Sequence, residues 1–159
     1  MNFVIGTEAN PILSELPDFQ EVLFAVAPPL VVYENIYLYG EQRTADEAIG
    51  LLQEADLLEG THLLIKTAGC AGEDFYDYGF QLEGDTYLFA GELCAFILFE
   101  DSKIQTEMAL IQLEEHLVFK ADEGTYFAAK HYTELILGIV KAYEVKVEFL
   151  DLDKWFKKI

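Results

Sequence analysis

The stretch Ala128–Leu150, AAKHYTELILGIVKAYEVKVEFL, carries two hydrophobic periods back to back. In its first part Tyr132, Leu135, Ile136, Ile139, Val140 and Tyr143 recur at helical spacing and form a broad apolar stripe. In its last residues Val145, Val147 and Phe149 alternate with Lys146 and Glu148, the period of a half-buried strand. A helix over 128–143 running straight into a strand over 144–150 calls for a sheet with helices packed on it.

Working outward, the same two periods recur without regular alternation. Asn10-Pro11 reads as a helix start and Pro17 as an early stop, so 1–29 is expected to be irregular with one short helix. Leu30 to Tyr39 is rich in β-branched and aromatic residues and reads as a strand closed by Gly40. Thr44-Ala45-Asp46-Glu47 has the spacing of a capping box. Ala48, Ile49, Leu52, Ala55 and Leu58 then continue a helix over about 45–58. His62–Thr67 reads as a strand, 68–79 as a Gly-rich acidic loop, and 79–90 as a hairpin around Gly84-Asp85. Glu92 to Phe99 is strongly apolar and reads as a buried strand.

Residues 103–121 carry two readings. Ser102 with Gln105, and Ile104, Met108, Ile111 and Glu115 near one face, fit a helix. Strands over 106–113 and 116–121 around Glu114-Glu115 fit the run Leu117-Val118-Phe119 and the turn residues Asp122-Glu123-Gly124, and the strand reading is preferred. Trp155-Phe156 is expected to pack back on the body. No internal repeat is apparent. The expectation is an α+β fold: a single compact domain over 1–159, an antiparallel or mixed β-sheet, and two main helices at about 45–58 and 128–143.

Charge bounds the kind of partner. The chain holds 29 acids and 10 bases among 159 residues, a net charge of −19. Residues 1–101 hold 19 of the acids and only two bases, Arg43 and Lys66, a net of −17; residues 102–159 hold 10 acids and 8 bases, a net of −2. Such a surface repels nucleic acid phosphates and anionic lipid, and draws in a basic protein. The same acids also serve to keep an aromatic-rich chain soluble. With 52% hydrophobic residues the chain is not intrinsically disordered. The N-terminus lacks a basic segment followed by a long apolar one, so no signal peptide is expected. Two cysteines, Cys70 and Cys94, read as reduced and buried in a cytoplasmic protein.

Residues that commonly carry chemistry are sparse. His62, His116, His131 and the two cysteines have no zinc-ligand spacing, and the acids at 73–85 do not follow the order of a calcium loop. Thr67-Ala68-Gly69-Cys70-Ala71-Gly72 could admit a substrate to a thiol, but the acids that follow disfavour a thiolate. No phosphate-binding glycine motif occurs, and Arg43 is the only arginine. No catalytic residue, metal or cofactor is assigned.

One segment stands out. Glu73-Asp74-Phe75-Tyr76-Asp77-Tyr78-Gly79-Phe80 holds three acids and four aromatics without a base. Aromatics supply rigid contact area, and carboxylates attract Lys and Arg from a distance. The expected partner-binding residues are Glu73, Asp74, Tyr76, Asp77, Tyr78, Glu83 and Asp85, with Tyr33, Glu34, Tyr37 and Tyr39 as a similar mixture. The expected function is binding of a basic protein, as an inhibitor or immunity protein that neutralises a nuclease toxin or another nucleic-acid-binding protein. Direct nucleic acid or membrane binding is not expected. The rival readings are a ligand-binding domain or enzyme with an apolar aromatic pocket, and a subunit of a homo-oligomer.

Overall fold

The computed structural model describes residues 1–156, and the expected packing of the Trp155 and Phe156 side chains lies outside what is described. Contacts divide the chain into two units, Met1–Lys66 and Thr67–Ile159. Strand β1 (Asn2–Ala9) opens the first unit, where an irregular segment was expected. Its residues are buried almost without a break from Phe3 to Thr7, so no alternation marks it in the sequence. Asn10 starts a short 3-10 turn, its side chain accepting from the Ile12 amide at 3.0 Å.

Pro17 does not end a helix; it occupies the first position of α1 (Pro17–Val26), where a missing N–H costs nothing. The expected strand over 30–39 is a hairpin, β2 (Val31–Tyr33) and β3 (Ile36–Tyr39), turned at Glu34-Asn35. Helix α2 (Gln42–Glu54) starts earlier than the 45 expected and ends before 58. Glu41 is its N-cap residue, so Thr44 and Glu47 lie inside the helix and make no capping box. Strand β4 (Leu58–Thr67) completes the unit.

The second unit begins with β5 (Gly69–Ala71) and the hairpin β6 (Gly79–Leu82) and β7 (Asp85–Phe89). That hairpin turns at Glu83-Gly84, one residue earlier than expected, with φ of 53° and 86° there. Positive φ at both turn positions matches the strand twist, and Gly84 adopts it freely. Strand β8 (Leu93–Phe99) follows where a strand is expected, one residue after the expected start at Glu92, which ends a 3-10 turn. Helix α3 (Lys103–Leu113) replaces the strand expected over 106–113. The Ser102 hydroxyl accepts from the Gln105 amide at 3.4 Å, and the face that packs is Thr106, Ala109 and Leu113. The stripe Ile104, Met108 and Ile111 is the exposed one.

Strand β9 (Leu117–Ala121) therefore pairs with β10 (Tyr126–Ala129) across residues 122–125. Helix α4 (Thr133–Ala142) is shorter than the expected 128–143, because Ala128 and Ala129 belong to β10. Strand β11 (Lys146–Leu150) and α5 (Leu152–Phe156) end the described chain.

The fold is α+β, with antiparallel pairing throughout each unit. It contains a repeat that the sequence does not announce. The first unit runs β1-α1-β2-β3-α2-β4 with strand order β2-β3-β1-β4. Residues 93–150 of the second run β8-α3-β9-β10-α4-β11 with strand order β9-β10-β8-β11. These are the same β-α-β-β-α-β arrangement, called ferredoxin-like.

The likeness extends to one helix stop. Asp56 and Glu144 follow α2 and α4 at φ 57° and 56°. The Leu57 amide donates to the Leu52 carbonyl at 2.8 Å, and the Val145 amide to the Val140 carbonyl at 2.8 Å. Both are Schellman stops, in which a left-handed residue lets the chain satisfy the last carbonyls. In the second unit α3 and α4 bury Ala109, Leu113, Ile136 and Val140 against Phe96, Tyr126 and Ala128 of the sheet.

Candidate functional site

Residues 68–92 lie between the two copies and have no counterpart in the first. Strand β5 adds itself to the outer side of β9, with Gly69 opposite Ala121, Cys70 opposite Lys120 and Ala71 opposite Phe119. The Gly72 amide donates to the Val118 carbonyl at 2.8 Å. The glycines are required by closeness of approach. A Cβ on Gly69 would run into the Lys120 carbonyl, and one on Gly72 into the Leu117 carbonyl. This accounts for the small residues around Cys70: they seat an edge strand.

The chain then makes one 3-10 turn at Phe75–Asp77. Phe75 is fully buried, its ring 5.8 Å from that of Phe119 and 5.0 Å from that of Tyr76. The Tyr78 amide donates to the Phe75 carbonyl and the Phe89 amide to the Tyr78 carbonyl, both at 2.9 Å. One buried ring and the strands on either side thus hold the turn, and the residues around Phe75 are left facing water. Glu73, Asp74 and Asp77 are exposed, Tyr76 is 75% exposed, and Tyr78 is half-buried.

The structure gathers Glu73, Asp74, Tyr76 and Asp77 on this turn, with Tyr78 at its end. It does not bring Glu83 and Asp85 to them. Those two sit at the tip of the β6–β7 hairpin, a four-residue strand away, roughly 13 Å. Glu83 is exposed and Asp85 half-buried. Tyr37 and Tyr39 are core residues, 6% and 1% exposed, and form no surface of mixed aromatics and acids. The Tyr39 hydroxyl donates to the Ala27 carbonyl at 2.9 Å, and burial, with the Tyr37 phenol second, pushes its pKa up to about 12. Burial also raises the Tyr37 phenol.

The charge around the turn is one-sided. Residues 67–101 hold eight acids and no base. Among the described residues Glu73, Asp74, Asp77 and Glu83 enter no salt bridge, so their field is not cancelled locally.

Beside β5 a groove of about 300 Å³ opens, with Cys70, Lys120 and Tyr126 on the strands, Gly72 just after β5, Leu110 on α3 and Glu114 just after it. Its only signal in the sequence is the small-residue run 68–72. Cys70 is exposed here, not buried as expected. Cys94 is partly buried, its thiol 3.8 Å from the Ala129 carbonyl, and burial raises its pKa. Lys120 lies with its ammonium 5.5 Å from the centre of the Tyr126 ring. Among the described residues no three His, Cys, Asp or Glu side chains are grouped as metal ligands.

Compared with known proteins, the chain matches no family model, no curated protein and no solved structure.

Proposed function

We propose that the protein binds a basic protein partner through the Glu73–Tyr78 turn, and that it acts as an inhibitor or immunity protein covering a cationic surface such as the active site of a nuclease toxin. The observation that carries this reading is the construction of the turn. Three unpaired carboxylates surround a Tyr that is 75% exposed, on a backbone pinned by a fully buried Phe75. Binding then orders little that is not already ordered, which removes a main cost of association. A rigid exposed Tyr is a common anchor at interface centres, and carboxylates speed the encounter with Lys and Arg. Free cysteines and the lack, among the described residues, of a helix long and apolar enough to cross a membrane fit a cytoplasmic protein.

The test is affinity capture from lysate at low and high salt, followed by assay of the captured protein's own activity with and without the inhibitor. Glu73, Asp74 and Asp77 changed together to Lys should abolish capture and inhibition. The control reverses Glu41, Glu54 and Asp56 of the first unit instead, an equal change of net charge. Equal loss in both triples would mean that only the overall charge matters. A second reading rests on the groove beside Cys70, whose volume suits a small ligand. It expects thermal stabilisation by a small molecule that salt barely alters.

A further inference from the structure

Between the 3-10 turn at Pro11–Glu15 and the tip of the β2–β3 hairpin, the first unit has a cavity of about 340 Å³. Leu13 and Tyr37, 1% and 6% exposed, supply its buried lining, and Asn10, Ser14, Glu34 and Asn35 its polar lining. Both walls are fixed. The Asn35 side chain donates to the Ala9 carbonyl at 2.9 Å, and the Ala9 amide donates to the Asn35 carbonyl at 2.9 Å, which ties the hairpin tip to the end of β1. On the other wall the Asn10 amide donates to the Leu57 carbonyl at 2.8 Å, and the Asn10 carbonyl accepts from the Leu13 amide at 3.0 Å. A cavity held in this way needs little ordering when it binds.

The polar lining turns its side-chain donors back onto the protein. The Asn10 side chain donates to the Glu59 carboxylate at 2.9 Å, the Asn35 side chain to Ala9, and the Ser14 hydroxyl to the Pro11 carbonyl at 2.9 Å. The Ile12 amide is taken by the Asn10 side-chain oxygen at 3.0 Å. What the lining keeps in reserve is oxygen: the Glu34 carboxylate, the Asn35 amide oxygen and the lone pairs of the Ser14 hydroxyl. Among the described residues Glu34 enters no salt bridge, and no Lys or Arg lines the cavity. Through Asn10, Glu59 sets a second carboxylate beside the lining. The unit as a whole holds 11 acids and two bases. Glu34 also has φ 52°, so the hairpin tip carries its carboxylate on a backbone that glycine adopts more freely.

We infer that this cavity binds an organic cation, a guanidinium or ammonium group on a short aliphatic stem, with the head group on the Glu34 carboxylate and the stem against Leu13 and Tyr37. A carboxylate among spare acceptors suits a head group made only of donors, and hydrogen bonds between ionised partners are the strong ones. The inference does not rest on the function proposed above, whose turn belongs to the other unit.

The test uses the full chain. Backbone and Asn side-chain amide shifts are followed by NMR as propylguanidinium, propylammonium or propionate is added at constant ionic strength. The cations are expected to give saturable shifts concentrated at residues 10–14 and 34–35, and propionate none there. Glu34→Gly removes the carboxylate where glycine fits the backbone, and Glu34→Gln removes the charge and keeps the shape; each should weaken cation binding by about 10-fold or more. Glu41→Gln, beyond the other end of β3, should stay within about 2-fold of the native chain, because exposed charges that far apart are screened. A capped Gly-Arg-Gly peptide separates the two sources of such a cation. Its binding at the same residues assigns the cavity to an Arg side chain of a partner, and its exclusion assigns it to a free amine or guanidine; both uphold the site. Shifts spread evenly over the acids of the unit, equal binding by the Glu34 variants, or propionate acting like the cations would overturn the inference. So would the absence of saturable shifts with either cation.

Discussion

Changing Tyr39 to Phe removes one hydroxyl and one titrating proton from the core of the first unit, and the two losses are felt at different pH. Tyr39 is 1% exposed, and its hydroxyl donates to the Ala27 carbonyl at 2.9 Å. Phe leaves that carbonyl without its donor, at a cost of about 1 kcal/mol. The proton works in the opposite direction. Burial, and secondly the Tyr37 phenol, push the Tyr39 pKa up to about 12 from 10.0. Between those values the native state keeps a proton that the unfolded chain has released. The native state then binds more protons than the unfolded state, so stability falls as pH rises through this window and is intact below it. At about 1.36 kcal/mol per pKa unit, the native protein loses roughly 2–3 kcal/mol by about pH 12. The Phe variant has no such proton.

The variant should therefore be less stable than the native protein by about 1 kcal/mol at about pH 8, about equal near pH 11, and more stable by about 1 kcal/mol near pH 12. Urea midpoints measured at these three pH values read the difference. With a slope of about 2 kcal/mol per molar, the shifts are about half a molar in opposite directions. Lysines and the tyrosines other than Tyr37 titrate in both proteins and cancel in the comparison; Tyr37, coupled to Tyr39, contributes a smaller difference of its own. A difference that stays the same at every pH would refute the account of Tyr39.

Other outcomes follow from the second unit. Phe75→Ala should cost about 3–5 kcal/mol in denaturant unfolding, because the ring is fully buried against Phe119; a loss under about 1 kcal/mol would mean that the turn is not pinned there. Tyr76→Ala should stay within about 0.5 kcal/mol of native stability, since the side chain is mostly exposed, yet weaken partner binding by about 10-fold or more in calorimetry. Gly72→Ala should destabilise by about 1–3 kcal/mol by denaturant unfolding, because its Cβ meets the Leu117 carbonyl. In the native protein a thiol reagent should label Cys70 well before Cys94, read by peptide mass, since Cys70 is exposed and burial raises the Cys94 thiol.

What the sequence made readable was what periodicity carries. Strands β8 and β11 and the cores of α2 and α4 stand where the apolar patterns put them. Strand β1 was hidden because burial of consecutive residues erases alternation. Helix α3 was passed over because Leu117-Val118-Phe119 and the turn residues Asp122-Glu123-Gly124 favoured a hairpin; the stripe Ile104, Met108 and Ile111 that fits a helix faces water, whereas Thr106, Ala109 and Leu113 pack. The repeat was hidden because matched elements carry different residues. Strand β3 buries Ile36, Tyr37, Leu38 and Tyr39 where β10 buries Tyr126, Phe127, Ala128 and Ala129, and α2 buries Ala45, Ala48 and Leu52 where α4 buries Ile136 and Val140. Total core volume can be kept while every position changes identity. Of the candidate site, the acidic-aromatic turn was legible from composition alone. The separation of Glu83 and Asp85 was not, because it depends on where the hairpin reverses.

The paired helix stops make the molecule its own control. Asp56 and Glu144 hold the same left-handed backbone at the same step of the same topology, on different side-chain surroundings. Glycine at either position relieves the same steric penalty, so any difference between the two variants measures neighbourhood and not conformation. Few chains allow a local energy to be read twice at one temperature, in one buffer, within one polypeptide. A protein that carries two editions of one plan also shows which parts of that plan coincide: the buried side chains differ between the copies, while the backbone at the end of each second helix is the same.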